Sequence, residues 1–589
     1  MQNKEKSSAT LRRILSYTRP YKGRFIAAFI FSVISVALQL AVPILIGNAI
    51  DYVIGADNVD FVKLLNYCLA LIPTVAGAVF FQYLMHLCAC SLAYNTVKDM
   101  RAHAFDRITA MPLSYLDTHP HGDVIARTGG DIDLISDGLL QGMTQLFNGI
   151  TTITLTLIFM FTLNWLIATV VVVLTPLSLF VASFIAKGNS KHFKAQSERR
   201  GAMSGDIEEL LGGLGVVKAF GREAKSQEGF EKINDKLYYS GVRAQFYSAL
   251  INPCTRFVNA VVYACVGVVG GVIAVVIPTL GMYSGVMTSG RLSSFFLYAN
   301  QYTRPFNEIT GVVNELQNAL SAARRVFALI DEPIEKDDSD GITQLRAKGD
   351  VSIEGVDFAY DSSRPLITDF NLQVQSGQRI AIVGPTGCGK TTFINLLMRF
   401  YDVDKGSILI DNIDIRDMTR KALRSNYGMI LQDTWLFNGT IRDNIAYGKP
   451  DASQEEIIQA AKLASCHEFI SKFKDGYDTI VDSDSLSQGQ RQLLCIARIM
   501  LTRPPMLILD EATSSIDTRT EMKIQQAFAV MMEGRTSFIV AHRLSTIKGA
   551  DKILVMKDGN IIEQGSHAQL LADKGFYYTL YNSQFAKEN

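Results

Sequence analysis

The residues best placed to do chemistry lie in the second half of the chain. Residues 384–391 read Gly384-Pro385-Thr386-Gly387-Cys388-Gly389-Lys390-Thr391, the spacing G-x-x-x-x-G-K-[ST]. Glycines at those positions let backbone N–H groups wrap phosphate oxygens, and a helix starting there adds a favourable dipole. Lys390 is placed to pair with β- and γ-phosphates and Thr391 to ligate Mg2+. The flanks agree: Ile380–Val383 reads as a buried strand, and Thr392–Leu397 opens a helix. A second constellation is Met506-Leu507-Ile508-Leu509-Asp510-Glu511. Four apolar residues make a buried strand, and the acids fall at its carboxyl end, where open α/β sheets bind ligands. Asp510 suits Mg2+, and Glu511 suits a general base that polarises an attacking water.

These residues need a sheet to hold them, and the sequence supplies one. Beyond Val351 no membrane-length apolar run occurs, and short β-branched strands alternate with helical stretches, the pattern of a soluble α/β domain. The first half differs. A span needs ~20 apolar residues, and six such stretches are expected: 25–50, 64–87, 139–163, 166–186, 257–277 and 286–306, with Asn164-Trp165 as a tight turn between the third and fourth. Domains are expected at 1–332 (membrane), 333–350 (an acidic, polar linker) and 351–589 (the α/β domain). The loops after spans one, three and five are short and free of Lys and Arg. The N-terminus and the stretches 98–138 and 187–248 are long and basic, with Lys98, Arg101, Arg107, Lys191, Arg199 and Arg200 among them. The positive-inside rule puts both termini and the long loops in the cytoplasm, with a multi-pass chain in the cytoplasmic membrane.

Composition is consistent with this. Hydrophobic residues make up 48% of the 589 and charged residues 19%, greasier than a soluble chain. Lys+Arg and Asp+Glu both total 57, so no basic field recruits nucleic acid. Disordered, collagenous and coiled-coil classes are excluded. None of the eight cysteines forms a CxxC pair, and a disulfide framework is not expected. Met85-His86-Leu87-Cys88-Ala89-Cys90 reads as helix packing rather than a metal site, because only His86 and Cys90 share a face. Cys388 sits between two glycines beside Lys390, where the helix N-terminus favours a thiolate, so a reactive thiol protected by Mg·ATP is expected.

Between the two constellations lies Leu486-Ser487-Gln488-Gly489-Gln490, and with it the chain resembles the ABC transporter superfamily over nearly its whole length. On that resemblance Ser487, Gln488, Gly489 and Gln490 form the signature motif. Tyr360 is similar to the aromatic that stacks on adenine, Gln432 to the glutamine that senses Mg2+ and the membrane domain, Asp517 to the D-loop, and His542 to the switch histidine. The implied ATP contacts run from Gly384 to Thr392, and the implied metal set is Thr391, Gln432 and Asp510. Six spans followed by one ATPase domain resemble the half-transporter plan of the type IV multidrug and lipid exporters. Residues 112–123 and Val217–Glu223 look like its two coupling loops, and no leader-cleaving peptidase is expected ahead of the first span.

The family sandwiches each ATP between the phosphate loop of one domain and the signature of another. One copy of each implies a dimer moving hydrophobic or amphipathic cargo (drugs, lipids or peptides) across the bilayer by alternating access. Gln488, where the family usually has Gly, beside an intact Glu511 resembles one subunit of a bacterial heterodimer, which is expected over a homodimeric flippase. An ATP-gated channel and an importer are the remaining alternatives. The stretch Val481–Leu486 is shorter than in relatives. Polar residues inside spans, Gln39, Gln82, Asn148, Asn259, Asn300 and Gln301, serve either cavity lining or helix packing.

Overall fold

The computed structural model describes residues 2–53, 59–279, 287–335, 338–361, 363–431, 434–482, 485–510, 516–541 and 547–584. They form two compact units. One comprises Met1–Ala110 and Pro120–Glu332, the other Met111–His119 and Pro333–Asn589.

Among its described residues the first unit is helical: α1 (Gln2–Thr18), α2 (Lys22–Asp51), α3 (Phe61–Ala110), then, beyond the short α4 (Leu113–Thr118) of the other unit, α5 (His121–Thr128), α6 (Gly130–Leu163), α7 (Trp165–Leu174), α8 (Pro176–Gly212), α9 (Leu214–Ala219), α10 (Glu223–Thr279) and α11 (Ser289–Ile330). Among the described residues, four stretches are long and apolar enough to cross a membrane: Ser8–Asp51, Phe61–Ala110, His121–Leu163 and Glu223–Ile273. The fourth expected span, 166–186, is not one helix. It breaks at Thr175, because Pro176 lacks the N–H that would bond the Val172 carbonyl and its ring crowds that turn. The sixth begins at Ser289, where Thr288 caps it by accepting from the Arg291 N–H at 3.1 Å; Val286 lies outside the described residues. Arg291, Arg304 and Glu308 make it the most polar of the six.

At 50 residues α3 is ~75 Å long, over twice the ~30 Å hydrocarbon core. Its end therefore projects from the bilayer, and a separate cluster holds that region: Val97, Met100, Ile132, Ile135, Val326 and Phe327 are buried together. Two forked ion pairs flank it. Arg13 donates to Asp331 at 2.5 and 2.7 Å, and Arg325 to Asp131 at 2.7 and 2.5 Å. At the turn between the third and fourth spans, Asn164 starts α7 by accepting from the N–H groups of Leu166 and Ile167, which is why two residues suffice for that turn. Phe61, Leu65, Ile72 and Val79 stay exposed along α3, as a lipid-facing side requires.

The second unit carries two main sheets. One is antiparallel in the order β2-β1-β4-β5: Ile367–Val374, Val351–Phe358, Lys405–Ile410 and Ile413–Asp414. The other runs β12-β11-β3-β10-β9-β6: Asn560–Gly565, Lys552–Lys557, Arg379–Val383, Thr536–Val540, Met506–Asp510 and Tyr427–Ile430. Only β12 runs antiparallel to its neighbour. Its central strands are buried on both faces, so they read as unbroken apolar runs instead of alternating ones. Two short strands, β7 (Gly439–Thr440) and β8 (Ile480–Val481), pair beside them.

Candidate functional site

β3 ends at Val383, the loop 384–389 follows, and α12 (Lys390–Leu397) starts at the lysine. Gly384 must be glycine: a Cβ there would collide with the Met556 carbonyl oxygen and lie 2.7 Å from Cys388 Sγ. Gly389, at φ +100°, caps α12 in the left-handed region that a side chain would strain. The Gly559 N–H donates to the Cys388 carbonyl at 3.1 Å, pinning the loop from outside. Pro385, Thr386 and Gly387 form its exposed rim, Thr391 is exposed at the start of α12, and the Thr392 side chain is buried. Lys390 Nζ donates to the carbonyls of Gly384 and Pro385 at 2.8 and 3.0 Å, which stretches it across the loop mouth.

Strand register places Asp510. Ile382 pairs with Val540, and Val540 with Asp510, so the carboxylate lies two strands away, ~10 Å, at the same height as the end of β3. Glu511, Gln432 and His542 lie outside the described residues.

The signature segment builds a helix start. Ser487 Oγ accepts from the Gln490 N–H at 3.3 Å, and Gln490 Oε1 accepts from the Ser487 N–H at 3.0 Å, a capping box that opens the Gln488–Thr502 helix. Gly489 lets that helix meet the next: a Cβ would strike the Thr520 methyl and lie 3.1 Å from Ile516 Cγ2. Asp517 starts the Thr518–Met532 helix by accepting from the Thr520 N–H at 3.0 Å, and that bond holds its carboxyl below the ordinary range. Gln488 is the first residue of the signature helix and is half-buried. So Ser487–Gln490 and Asp517 form one packed group, and the phosphate loop and Asp510 form another.

Residues 25–306 match the ABC transporter transmembrane region, and residues 367–514 match the family described as ABC transporter. A fatty acid ABC transporter ATP-binding/permease protein of Mycobacterium tuberculosis is 41% identical over 531 residues, covering 90% of this chain and 83% of the relative. An ATP-dependent lipid A-core flippase of Syntrophus aciditrophicus is 34% identical, covering 98% and 95%. The structure of a bacterial Atm1-family ABC exporter with ATP bound superposes with a TM-score of 0.75 at 29% identity, covering 96% of this chain and 98% of that one. The chain belongs to the ABC transporters. Its first unit is the transmembrane domain and its second the ATPase domain of an exporter half, with ATP as the energy source.

Around Tyr360, which the sequence reading named, the transporter holds partners that motif reading missed, Tyr401 and Asp117. Tyr360, 51% exposed, meets Tyr401 edge-on, with ring centroids 5.0 Å apart at 90°. Its hydroxyl accepts from Asn395 Nδ2 of α12 at 3.3 Å. Tyr401 in turn donates to Asp117 of α4 at 2.6 Å. Burial first, and the Asp117 bond second, push the Tyr401 phenol well above its ordinary range, so it stays protonated and donating. A sequence signal existed in the aromatic pair Phe400-Tyr401 directly after α12, but nothing in spacing links it to position 117.

Cys388 corrects an expectation. Its side chain is 4% exposed and packs into the core of the ATPase domain, so it is a buried filler of the transporter's loop rather than an accessible thiol. Lys390 Nζ lies 3.8 Å from its sulfur. N-ethylmaleimide should modify buried Cys388 on the order of tenfold or more slower in the folded protein than in the denatured chain. Peptide mass mapping over a time course checks this, and rapid ATP-sensitive labelling of Cys388 would restore the reactive reading.

Proposed function

We propose that this exporter works as one half of a dimer in the cytoplasmic membrane, with its ATPase domain on the cytoplasmic side. The observation that carries the dimer is the single copy of each half-site. One phosphate loop and one capped signature helix are present, and each ATP needs both. Exposed apolar side chains support it: Val216 on α9 and Phe220 just after it are 62% and 76% exposed, in the segment expected to press on a partner's ATPase domain.

Within the site, backbone N–H groups from Gly387 to Thr392 cradle the phosphates, and Lys390 moves from the loop carbonyls to phosphate oxygens. Tyr360 offers its open ring to adenine. The Thr391 hydroxyl and the Asp510 carboxylate are hard oxygen donors that fit Mg2+, with Gln432 completing the set. When bound, Mg2+ neutralises charge that develops on the phosphates. Glu511 accepts the proton of the attacking water, and His542 holds the terminal phosphate. Asp517 and Ser487 face the second nucleotide across the dimer. Closure of the two ATPase domains on ATP turns the spans outward, and hydrolysis reverses it, a ligand-driven population shift.

Gln488 beside an intact Glu511 supports a heterodimer over a homodimer. The test is to purify the chain alone and again with the half-transporter encoded nearby. Alone it should hydrolyse ATP slowly, by about tenfold or more relative to the pair. High substrate-stimulated activity from this chain alone would establish the homodimer instead. The cargo class is hydrophobic or amphipathic, in keeping with the fatty acid and lipid A-core named for its relatives.

A further inference from the structure

A cavity of about 440 Å3 opens between α2, α3, α6 and α11 in the transmembrane domain, within the ~300–1,000 Å3 range of small-molecule sites. Two hydrogen bonds fix the register of α11 against α2 beside it. Tyr298 of α11 donates to the Leu40 carbonyl at 2.6 Å and Ser294 to the Pro43 carbonyl at 2.7 Å. Six carboxamides line it: Gln39, Gln82, Gln141, Gln145, Asn148 and Gln301. Of the other polar candidates, Asn300 and Asn259 are not among the lining residues. Such a density of amides at membrane depth has no apolar rationale.

The amides are only partly satisfied by one another. Gln39 Nε2 donates to Ser35 at 3.2 Å and to Gln82 at 3.4 Å, and Ser32 donates to Asn148 at 2.8 Å. Among the described residues, Gln301 Oε1 is buried without a hydrogen-bond partner. Two prolines add acceptors. Pro305 lacks the N–H that would bond the Gln301 carbonyl, and Pro43 lacks the one that would bond the Gln39 carbonyl. Two of the lining glutamines thus each sit one turn ahead of a proline, so their main-chain carbonyls lack the ordinary helical donor. The two formal charges on the wall pair, Arg304 donating to Glu308 at 3.0 Å, and His86 of α3 adds an imidazole to the lining. Val36, Leu40 and Leu140 complete an apolar side.

We propose that this cavity binds the uncharged, hydroxyl-rich head of a glycosylated lipid, with Gln39, Gln82, Asn148 and Gln301 setting specificity. Hydroxyls supply donors to the surplus carbonyl oxygens and acceptors to the amide N–H groups. An anionic head would meet acceptors and a neutralised arginine. The apolar side and membrane depth suit an acyl-bearing molecule rather than a free sugar. As cargo, this ligand rests on the export reading above.

Native mass spectrometry of the purified full-length protein tests it, with monoglucosyl diacylglycerol, diacylglycerol and phosphatidic acid of matched chains, and with methyl glucoside as the head alone. The glucosyl lipid should bind about tenfold or more tighter than the other three. Gln39→Leu combined with Gln301→Leu should lower its binding to that of diacylglycerol, while Gln39→Asn, which retains an amide, keeps most of the preference. ATP binding by each variant reports that it is folded. Preference for phosphatidic acid or for methyl glucoside overturns the proposal, as does a double variant that binds like the parent. If the glucosyl lipid binds as expected but ATP does not move it in proteoliposomes of the assembled transporter, the site stands and the export reading fails.

Discussion

Glu511→Gln should leave nucleotide bound and slow turnover by about 10²–10⁴-fold, the usual cost of removing a general base. The acid follows Asp510, which strand pairing places level with the end of β3. On the proposed assignment Asp510 and Thr391 are the oxygen donors for Mg2+, so the substitution removes a proton acceptor without removing a ligand. Glutamine keeps the volume and one carbonyl oxygen, so the site stays assembled. A fluorescent ATP analogue should therefore bind within about threefold of the parent affinity, while phosphate release from the assembled dimer collapses. If affinity fell as far as rate, Glu511 would be a ligand and not the base. If the rate held in a homodimer, where no other acid backs it up, the assignment would be wrong.

The ATPase half was legible because its chemistry is written in local spacing. The phosphate loop needs a strand, a glycine turn and a helix in immediate succession, and residues 379–397 supply them in that order. Asp510 was legible for the same reason: a buried parallel strand is apolar throughout, so its acidic end stands out. What spacing cannot carry is contact across the chain. Asp117 and Tyr401 are 284 positions apart, and nothing in either segment names the other. Burial of Cys388 was equally hidden, because the sulfur's neighbours come from the folded core and not from the loop. In the membrane half, period and length gave the spans, but Pro176 was read through as one more apolar-run residue. The fourth span therefore breaks where backbone chemistry, not hydropathy, decides. The paired prolines after Gln39 and Gln301 acquire meaning only once four helices place those glutamines around one cavity.

Asp117 and Tyr401 should matter for the link between nucleotide and membrane helices. Asp117 lies on α4, the short helix between α3 and α5, and Tyr401 packs its ring against the aromatic offered to adenine. If adenine stacks on Tyr360 as proposed, a shift of that ring would reach Tyr401, and the 2.6 Å bond would pass it to α4. A hydrogen bond to a charged acceptor contributes ~1.5–3 kcal/mol, and partial exposure puts this one at the low end, about tenfold in coupling. Tyr401→Phe keeps the ring and loses the donor. It should leave the KM for ATP within about twofold while lowering substrate-stimulated turnover about tenfold. Asp117→Ala, which removes the acceptor, should do the same, and the double variant should be no worse than either, since both remove one interaction. Tyr401→Leu also removes the ring behind Tyr360, and should raise KM besides. Because the Tyr401 phenol is held above its ordinary value near 10, its donated bond is fully present below that pH and lost only as pH rises through the higher folded value. The Tyr401→Phe defect should therefore be constant between about pH 7 and 9. Additive losses in the double variant, or full coupling in both single variants, would show that the Tyr401–Asp117 bond holds α4 in place without carrying any signal.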